Sequence, residues 1–229
     1  MNHLPISILF AILVLSSCKN RSEEQRSIPV ILEDSSEKLD TVFSQKDITS
    51  LNQLKLSQYA SAQNSPIDWS TFSMVTSFEE DSLLRTAFKP DKLFYEQYGQ
   101  LLKYSPDSTM FIDLDSYNIE VQQNKMGQSI IMEKGPDTEV SLVQLESKER
   151  TRLAFLGPGN GVEEALWVDN NNVLLIGYNE IDTTKLKKAF IWRYHIPTKL
   201  FHVYESSDSR VGGQLTNWRK QRFNQLLGE

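Results

Sequence analysis

The chain has 229 residues, with 24 Lys and Arg set against 30 Asp and Glu, and one cysteine, Cys18. A net charge of −6 argues against general nucleic-acid binding, which relies on clustered cations to neutralise phosphates. A single cysteine excludes an intramolecular disulfide and any cysteine-rich metal site. Hydrophobic residues at 39% and charged residues at 24% are ordinary for a folded globular protein.

The chain opens on an apolar run over residues 4–15. A stable transmembrane helix needs about 20 apolar residues, so this run has the length of a signal-peptide core instead. Leu15-Ser16-Ser17-Cys18 follows at once. An aliphatic residue, two small residues and a cysteine in that order resemble the lipobox of bacterial lipoproteins. The resemblance implies that residues 1–17 are a cleaved export signal and that the Cys18 thiol is acylated. The mature chain is then attached to the outer or inner membrane from its extracytoplasmic side, without crossing it. One feature departs from the pattern: the segment before the apolar run carries His3 but no Lys or Arg.

Residues 18–40 are polar and charged apart from Ile28-Pro29-Val30-Ile31-Leu32, and they read as a lipidated flexible tether. Residues 41–103 read as a mainly helical segment. Ile48, Leu51 and Leu54 hint at helical spacing. Leu83, Leu84, Ala87 and Phe88 predict a helix that Pro90 halts. Leu93, Phe94, Gln97, Tyr98, Leu101 and Leu102 predict a second one, with Asp91 as its N-cap.

From residue 104 the pattern changes to strands, and it repeats. Tyr104 to Ile112 lines up with Trp167 to Leu175: an aromatic residue, a turn of Pro, Asp or Asn, then an apolar strand. Val143 and Leu145 match Trp192 and Tyr194, while Leu153 and Phe155 match Phe201 and Val203. Around the turn Ile196-Pro197-Thr198-Lys199, Phe190, Trp192, Tyr194, Phe201 and Val203 share one face. Residues 104–206 resemble WD40-like or TolB-like β-propeller blades, whose inner strand follows an S-P-D-G turn. Ser105-Pro106-Asp107 matches three of those positions, and Ser108 replaces the glycine. A closed propeller takes about 4–8 blades, whereas this chain has room for two, arranged as a sandwich or a partial propeller. Residues 207–229 predict a C-terminal helix carrying Leu215, Trp218, Phe223, Leu226 and Leu227 with Arg219, Lys220 and Arg222. It either closes the domain or lies on an anionic membrane surface. The expected fold class is therefore α+β, mainly β with N-terminal helices: two antiparallel four-stranded meanders and a C-terminal helix.

Chemical motifs are sparse. Arg193, His195, His202 and Tyr204 share the polar face of the hairpin and form the candidate binding surface. Symmetric closure sets 195 opposite 200 and 193 opposite 202, leaving the two histidines as diagonal neighbours. Arg193 opposes a metal there, and no third ligand is in view. Asp113, Asp115 and Asn118 suggest a calcium loop, but Tyr117, Asn118 and Asn124 fail its third ligand, glycine and glutamate positions. Asp113 and Asp115 are then the solvent side of a strand. Gly157-Pro158-Gly159-Asn160-Gly161 precedes a strand, not a helix, and so reads as the connection between meanders, not a phosphate cradle. Glu163 and Glu164 adjoin on a strand and should point to opposite faces. No G-x-S-x-G is present.

The expected function is a membrane-anchored extracytoplasmic lipoprotein acting as a binding or scaffold module in the cell envelope. It needs no cofactor, metal or catalytic residue of its own. Its partners are the membrane, through Cys18, and a protein or glycan of the envelope, with no nucleic acid. The alternative is a hydrolase of envelope glycan or peptide whose carboxylates leave no linear motif. A cleft joining two carboxylates favours the hydrolase, and an exposed aromatic patch favours the binder.

Overall fold

The computed structural model describes residues 43–53, 67–123, 129–181, 184–216 and 218–227. The export signal, Cys18 and the tether lie outside the described residues, as do Leu54 and Asn124. The fold is mainly β, with two five-stranded antiparallel sheets. Helix α1 (Gln45–Gln53) comes first, followed by β1 (Phe72–Glu79), β2 (Arg85–Ala87) and the short helix α2 (Phe94–Tyr98).

The first repeat unit supplies β3 (Lys103–Tyr104), β4 (Met110–Asp113), β7 (Thr138–Gln144) and β8 (Glu149–Leu156). A separate hairpin of β5 (Ile119–Gln123) and β6 (Ser129–Glu133) is inserted between its second and third strands. The second unit supplies β9 (Gly161–Asp169), β10 (Asn172–Glu180), β11 (Lys187–His195) and β12 (Leu200–Ser206). Each unit is a meander in chain order, and each gains a fifth strand beside its last one: β2 on β8, and β1 on β12. Helices α3 (Ser209–Leu215) and α4 (Trp218–Leu227) end the chain.

Turn chemistry explains why the two units match. Asp107 Oδ1 accepts hydrogen bonds from Ser105 Oγ at 2.7 Å, Thr109 N at 3.1 Å and Thr109 Oγ1 at 2.9 Å. Ser108 takes φ 58°, the left-handed conformation that a glycine adopts without strain. In the second unit Asp169 Oδ1 accepts from Asn171 N at 2.9 Å and Asn172 Nδ2 at 2.8 Å. Lys148 and Lys199, each at φ 53°, close the turns that lead into β8 and β12. The register sets His195 opposite Leu200 and Arg193 opposite His202, as symmetric closure of that hairpin requires.

Alternation along the strands sorts side chains into layers. Val173, Leu175, Phe190, Tyr194 and Phe201 pack against Ile112, Leu114, Val140, Leu142 and Leu153, joining the sheets through a central core. Leu174, Ile176, Ala189, Ile191 and Tyr204 face the other way, onto Leu51, Phe43, Trp69, Val211, Leu215 and Trp218. The outer face of the first sheet buries Phe111 and Val143 against Phe88, Tyr98, Leu101, Ile119 and Phe223. Fully burying one such large side chain is worth about 1.5–3 kcal/mol, so these layers are the main source of stability.

Three expectations are corrected. The helix expected over residues 83–88 is strand β2, and the described residues of the segment 41–103 mix α1 and α2 with two strands. Arg85, Thr86 and Ala87 pair with Thr151, Arg150 and Glu149, completing backbone hydrogen bonds at the edge of β8. One helical turn bears its full nucleation cost, which the ladder avoids. Of the residues that suggested a helix, Phe88 is buried, while Leu84 is 51% exposed. Further along, α2 is shorter than the predicted span and its N-cap position is Leu93, while Asp91 Oδ1 accepts from Leu93 N at 2.9 Å and Phe94 N at 2.8 Å just before it.

The second correction concerns the membrane-surface alternative for the C-terminal helix. Trp218 and Phe223 are buried in two different cores, so these side chains are not available to lipid. The third concerns the hairpin's polar face. Tyr204 is buried and stacks on Phe43 at 4.2 Å, and Arg193 is held 3.3 Å from the buried Asp47 carboxylate of α1. His202 is half-buried, with Nδ1 3.3 Å from Met74 Sδ on β1. His195 Nδ1 bonds Thr198 Oγ1 within the turn at 2.7 Å. Phe43 and α1 cover Tyr204 and Arg193 on this face, so those two side chains are not open to a partner.

Candidate functional site

The C-terminal helix α4 is fastened to both sheets by buried charge. Asp113 and Asp115 are 2% and 1% exposed, which overturns their reading as the solvent side of a strand. Asp113 Oδ1 caps the turn after β4 by accepting from Asp115 N and Ser116 N, and its Oδ2 lies 3.1 Å from Arg150 Nη1. Asp115 turns to α4, where Oδ1 accepts from Arg219 Nε at 2.8 Å and from Arg222 Nη2 at 3.1 Å. Arg222 Nη1 approaches Oδ2 at 2.9 Å without hydrogen-bond alignment, so that contact is Coulombic. Arg219 and Arg222 are three residues apart on a helix, a spacing that puts both on one face.

Glu163 and Glu164 complete the fastening. Sequence alternation sends them to opposite faces, but β9 is irregular at this point. Ile176 pairs with Glu164 while Gly177 pairs with Val162, so Glu163 is the extra residue of a bulge. A bulge re-aims a side chain, and both carboxylates end up buried beneath α4. Glu164 Oε2 accepts from Trp218 Nε1 at 3.3 Å, and its Oε1 lies 2.8 Å from Lys103 Nζ. Glu163 Oε2 accepts from the backbone N–H of Arg219 at 2.9 Å.

Beside this network is a cavity of about 640 Å³. Its walls come from the β8–β9 loop, the start of β9, β10, the β5–β6 hairpin and α4. The glycine-rich segment 157–161 is the connection between the meanders, as expected, and Gly159, Asn160 and Gly161 form part of the rim. Glu163 and Tyr178 stand together on the wall: a Cβ on Gly161 would lie 3.2 Å from Glu163 Oε1 and 3.5 Å from Tyr178 Oη. Neither of those oxygens has a hydrogen-bond partner among the described residues.

Burial dominates the electrostatics of this pair. It pushes the Glu163 carboxyl up to about 7, against the opposing pull of the Arg219 backbone N–H and the Arg219 and Arg222 charges. Burial, and then the neighbouring Glu163 charge, push the Tyr178 phenol up to about 12. Tyr178 therefore stays a hydroxyl, and Glu163 changes charge near neutral pH.

No family model matches the chain, and no curated protein or solved structure does either. Among the described residues no three His, Cys, Asp or Glu side chains are grouped to hold a metal ion, and no helix is long and apolar enough to cross a membrane.

Of the residues singled out in the sequence, Arg193, His195, His202 and Tyr204 do not line this cavity. Those that matter here, Asp115, Glu163, Tyr178 and Arg219, carried no local motif. The two arginines on one face of the last helix were the available signal, since a buried end of such a helix requires acidic partners.

Proposed function

We propose that the chain is a lipid-anchored, extracytoplasmic binding module of the bacterial cell envelope, holding a protein or glycan of that compartment without catalysis of its own. The anchor reading rests on Leu15-Ser16-Ser17-Cys18, and acyl chains at about 0.8 kcal/mol per buried methylene suffice to keep a domain on a membrane. The single observation that carries the binding reading is the cavity, on whose wall one Glu163 carboxyl oxygen and the Tyr178 hydroxyl have no hydrogen-bond partner among the described residues. Ligand pockets occupy this volume range, and polar atoms without protein partners are where a ligand gains specificity. A second surface adds support. Tyr117 and Phe155 are 42% and 46% exposed and meet edge to face at 5.6 Å.

The fold suggests the same use. The two matched meanders, stacked face to face and each completed by a strand at its outer edge, support a two-blade, propeller-like arrangement. The β5–β6 insertion and the β8–β9 loop leave the first sheet at the same end of its strands, beside the cavity.

A hydrolase is the second reading, favoured by one observation: Glu133 and Glu163 both line the cavity, one exposed and one buried. Two carboxyls in unlike environments are what glycan hydrolysis requires.

Capture from native membranes after mild cross-linking tests the binding reading, with the lipidated chain beside Cys18→Ala. A partner recovered with the lipidated form and not with the variant is the expected result. Recovery of nothing with either form contradicts it. Turnover of envelope polymers by the purified chain, lost in Glu163→Gln, would establish the hydrolase instead.

A further inference from the structure

Polar atoms and charges in the cavity define what it accepts. Glu163 is 5% exposed, with one carboxyl oxygen held by α4 and the other facing Tyr178 Oη across Gly161. That pair offers one strong acceptor and one hydroxyl able to donate or accept, side by side. Net charge at the site is close to balanced. Arg219 is neutralised by Asp115 at 2.8 Å, and the exposed rim carries one residue of each sign, Glu133 and Lys220. An anion entering the cavity meets the Glu163 carboxyl, and a cation meets Lys220. Adjacent hydroxyl groups on a neutral ring meet neither objection, since one donates to Glu163 Oε1 while its neighbour pairs with Tyr178 Oη. Ile131 supplies an apolar wall for the C–H face of such a ring.

We propose that this cavity is a saccharide site, taking a small neutral polyhydroxylated ligand through the Glu163 carboxyl and the Tyr178 hydroxyl. The proposal rests on the binding-module reading and names its ligand class. Gly161 is the gatekeeping position. Its φ lies outside the left-handed region, so alanine is compatible with the backbone there, and the added methyl group would crowd both polar groups, at 3.2 Å from Glu163 Oε1 and 3.5 Å from Tyr178 Oη.

The test uses the full-length chain in a detergent without a sugar headgroup. Glucose, N-acetylglucosamine, cellobiose and chitobiose are titrated by saturation-transfer NMR, with inorganic phosphate and free lysine as charged probes. The expected result is saturable binding of at least one neutral sugar and of neither charged probe. Tyr178→Phe should weaken that binding by roughly threefold to tenfold, the range for one neutral hydrogen bond. Gly161→Ala should weaken it further with unchanged circular dichroism, and so separates loss of the site from loss of the fold. Absence of binding by all four sugars, wild-type affinity in both variants, or preference for phosphate or lysine overturns the proposal. If sugars fail while membrane capture still yields a Cys18-dependent partner, the saccharide assignment alone falls. If both fail, the binding reading falls with it.

Discussion

Asp115→Asn lowers the thermal unfolding midpoint by roughly 6–20 °C. The substitution preserves volume but removes the charge that two guanidinium groups share, and Arg222 is only 8% exposed. Breaking a buried ion pair by neutralising one partner costs about 3–5 kcal/mol, because the remaining charge stays out of water without compensation. In a domain of this size each kcal/mol moves the midpoint by about 2–4 °C. That loss is a large share of a total stability of about 5–15 kcal/mol. Circular dichroism melts measure it. Arg210→Ala is the control: Arg210 pairs with Asp208 at 2.6 Å, but it is 82% exposed, and an exposed pair contributes little. Asp115→Asn melting with the wild type would show that α4 is held by its apolar side chains alone.

Glu163→Gln stabilises the protein at alkaline pH and leaves it unchanged in acid. The sign follows from the direction of the shift. Burial raises the folded carboxyl from 4.5 to about 7, so the folded state holds this proton more tightly than the unfolded one. The contribution to stability is complete below about pH 4.5 and is lost as pH rises through about 7. At about 1.4 kcal/mol per pH unit, the wild type gives up about 3 kcal/mol across that window. Glutamine keeps an oxygen for the Arg219 N–H and carries no charge to bury. Urea unfolding should therefore give matching curves at pH 4 and a variant more stable by about 3 kcal/mol at pH 8. A variant less stable at pH 8 would mean that Arg219 and Arg222 depend on the Glu163 charge.

These two positions also mark where the sequence was readable and where it was not. The meanders were legible because period-2 alternation and Asp- or Asn-built turns are local properties. Residues 104–112 and 167–175 announce the same strand–turn–strand unit. The 193–202 pairing follows from the turn between those strands. Even the Ser108 position was visible, since a turn that elsewhere takes glycine demands the left-handed conformation that Ser108 adopts.

What failed was non-local. Asp115 looked like a solvent-side residue because its arginines lie more than 100 positions away in the chain. Glu163 and Glu164 were assigned to opposite faces by a rule that holds for regular strands, and a bulge sits at Glu163. The segment around Arg85 was read as helix because Leu83, Leu84, Ala87 and Phe88 fit the helical period. The vacant edge of β8 decided the outcome. Tyr204 and Arg193 looked like a surface because nothing local shows that Phe43 and α1 fold back over them.

Membrane attachment through Cys18 is the claim on which the compartment and the partners depend. Intact-mass and N-terminal peptide analysis of the chain extracted from bacterial membranes tests it most directly. The account predicts a mature chain that begins at Cys18 and carries acyl groups there, with the Cys18→Ala chain recovered unprocessed and unacylated. A membrane-extracted wild-type chain that retains residues 1–17 and an unmodified Cys18 thiol would contradict it.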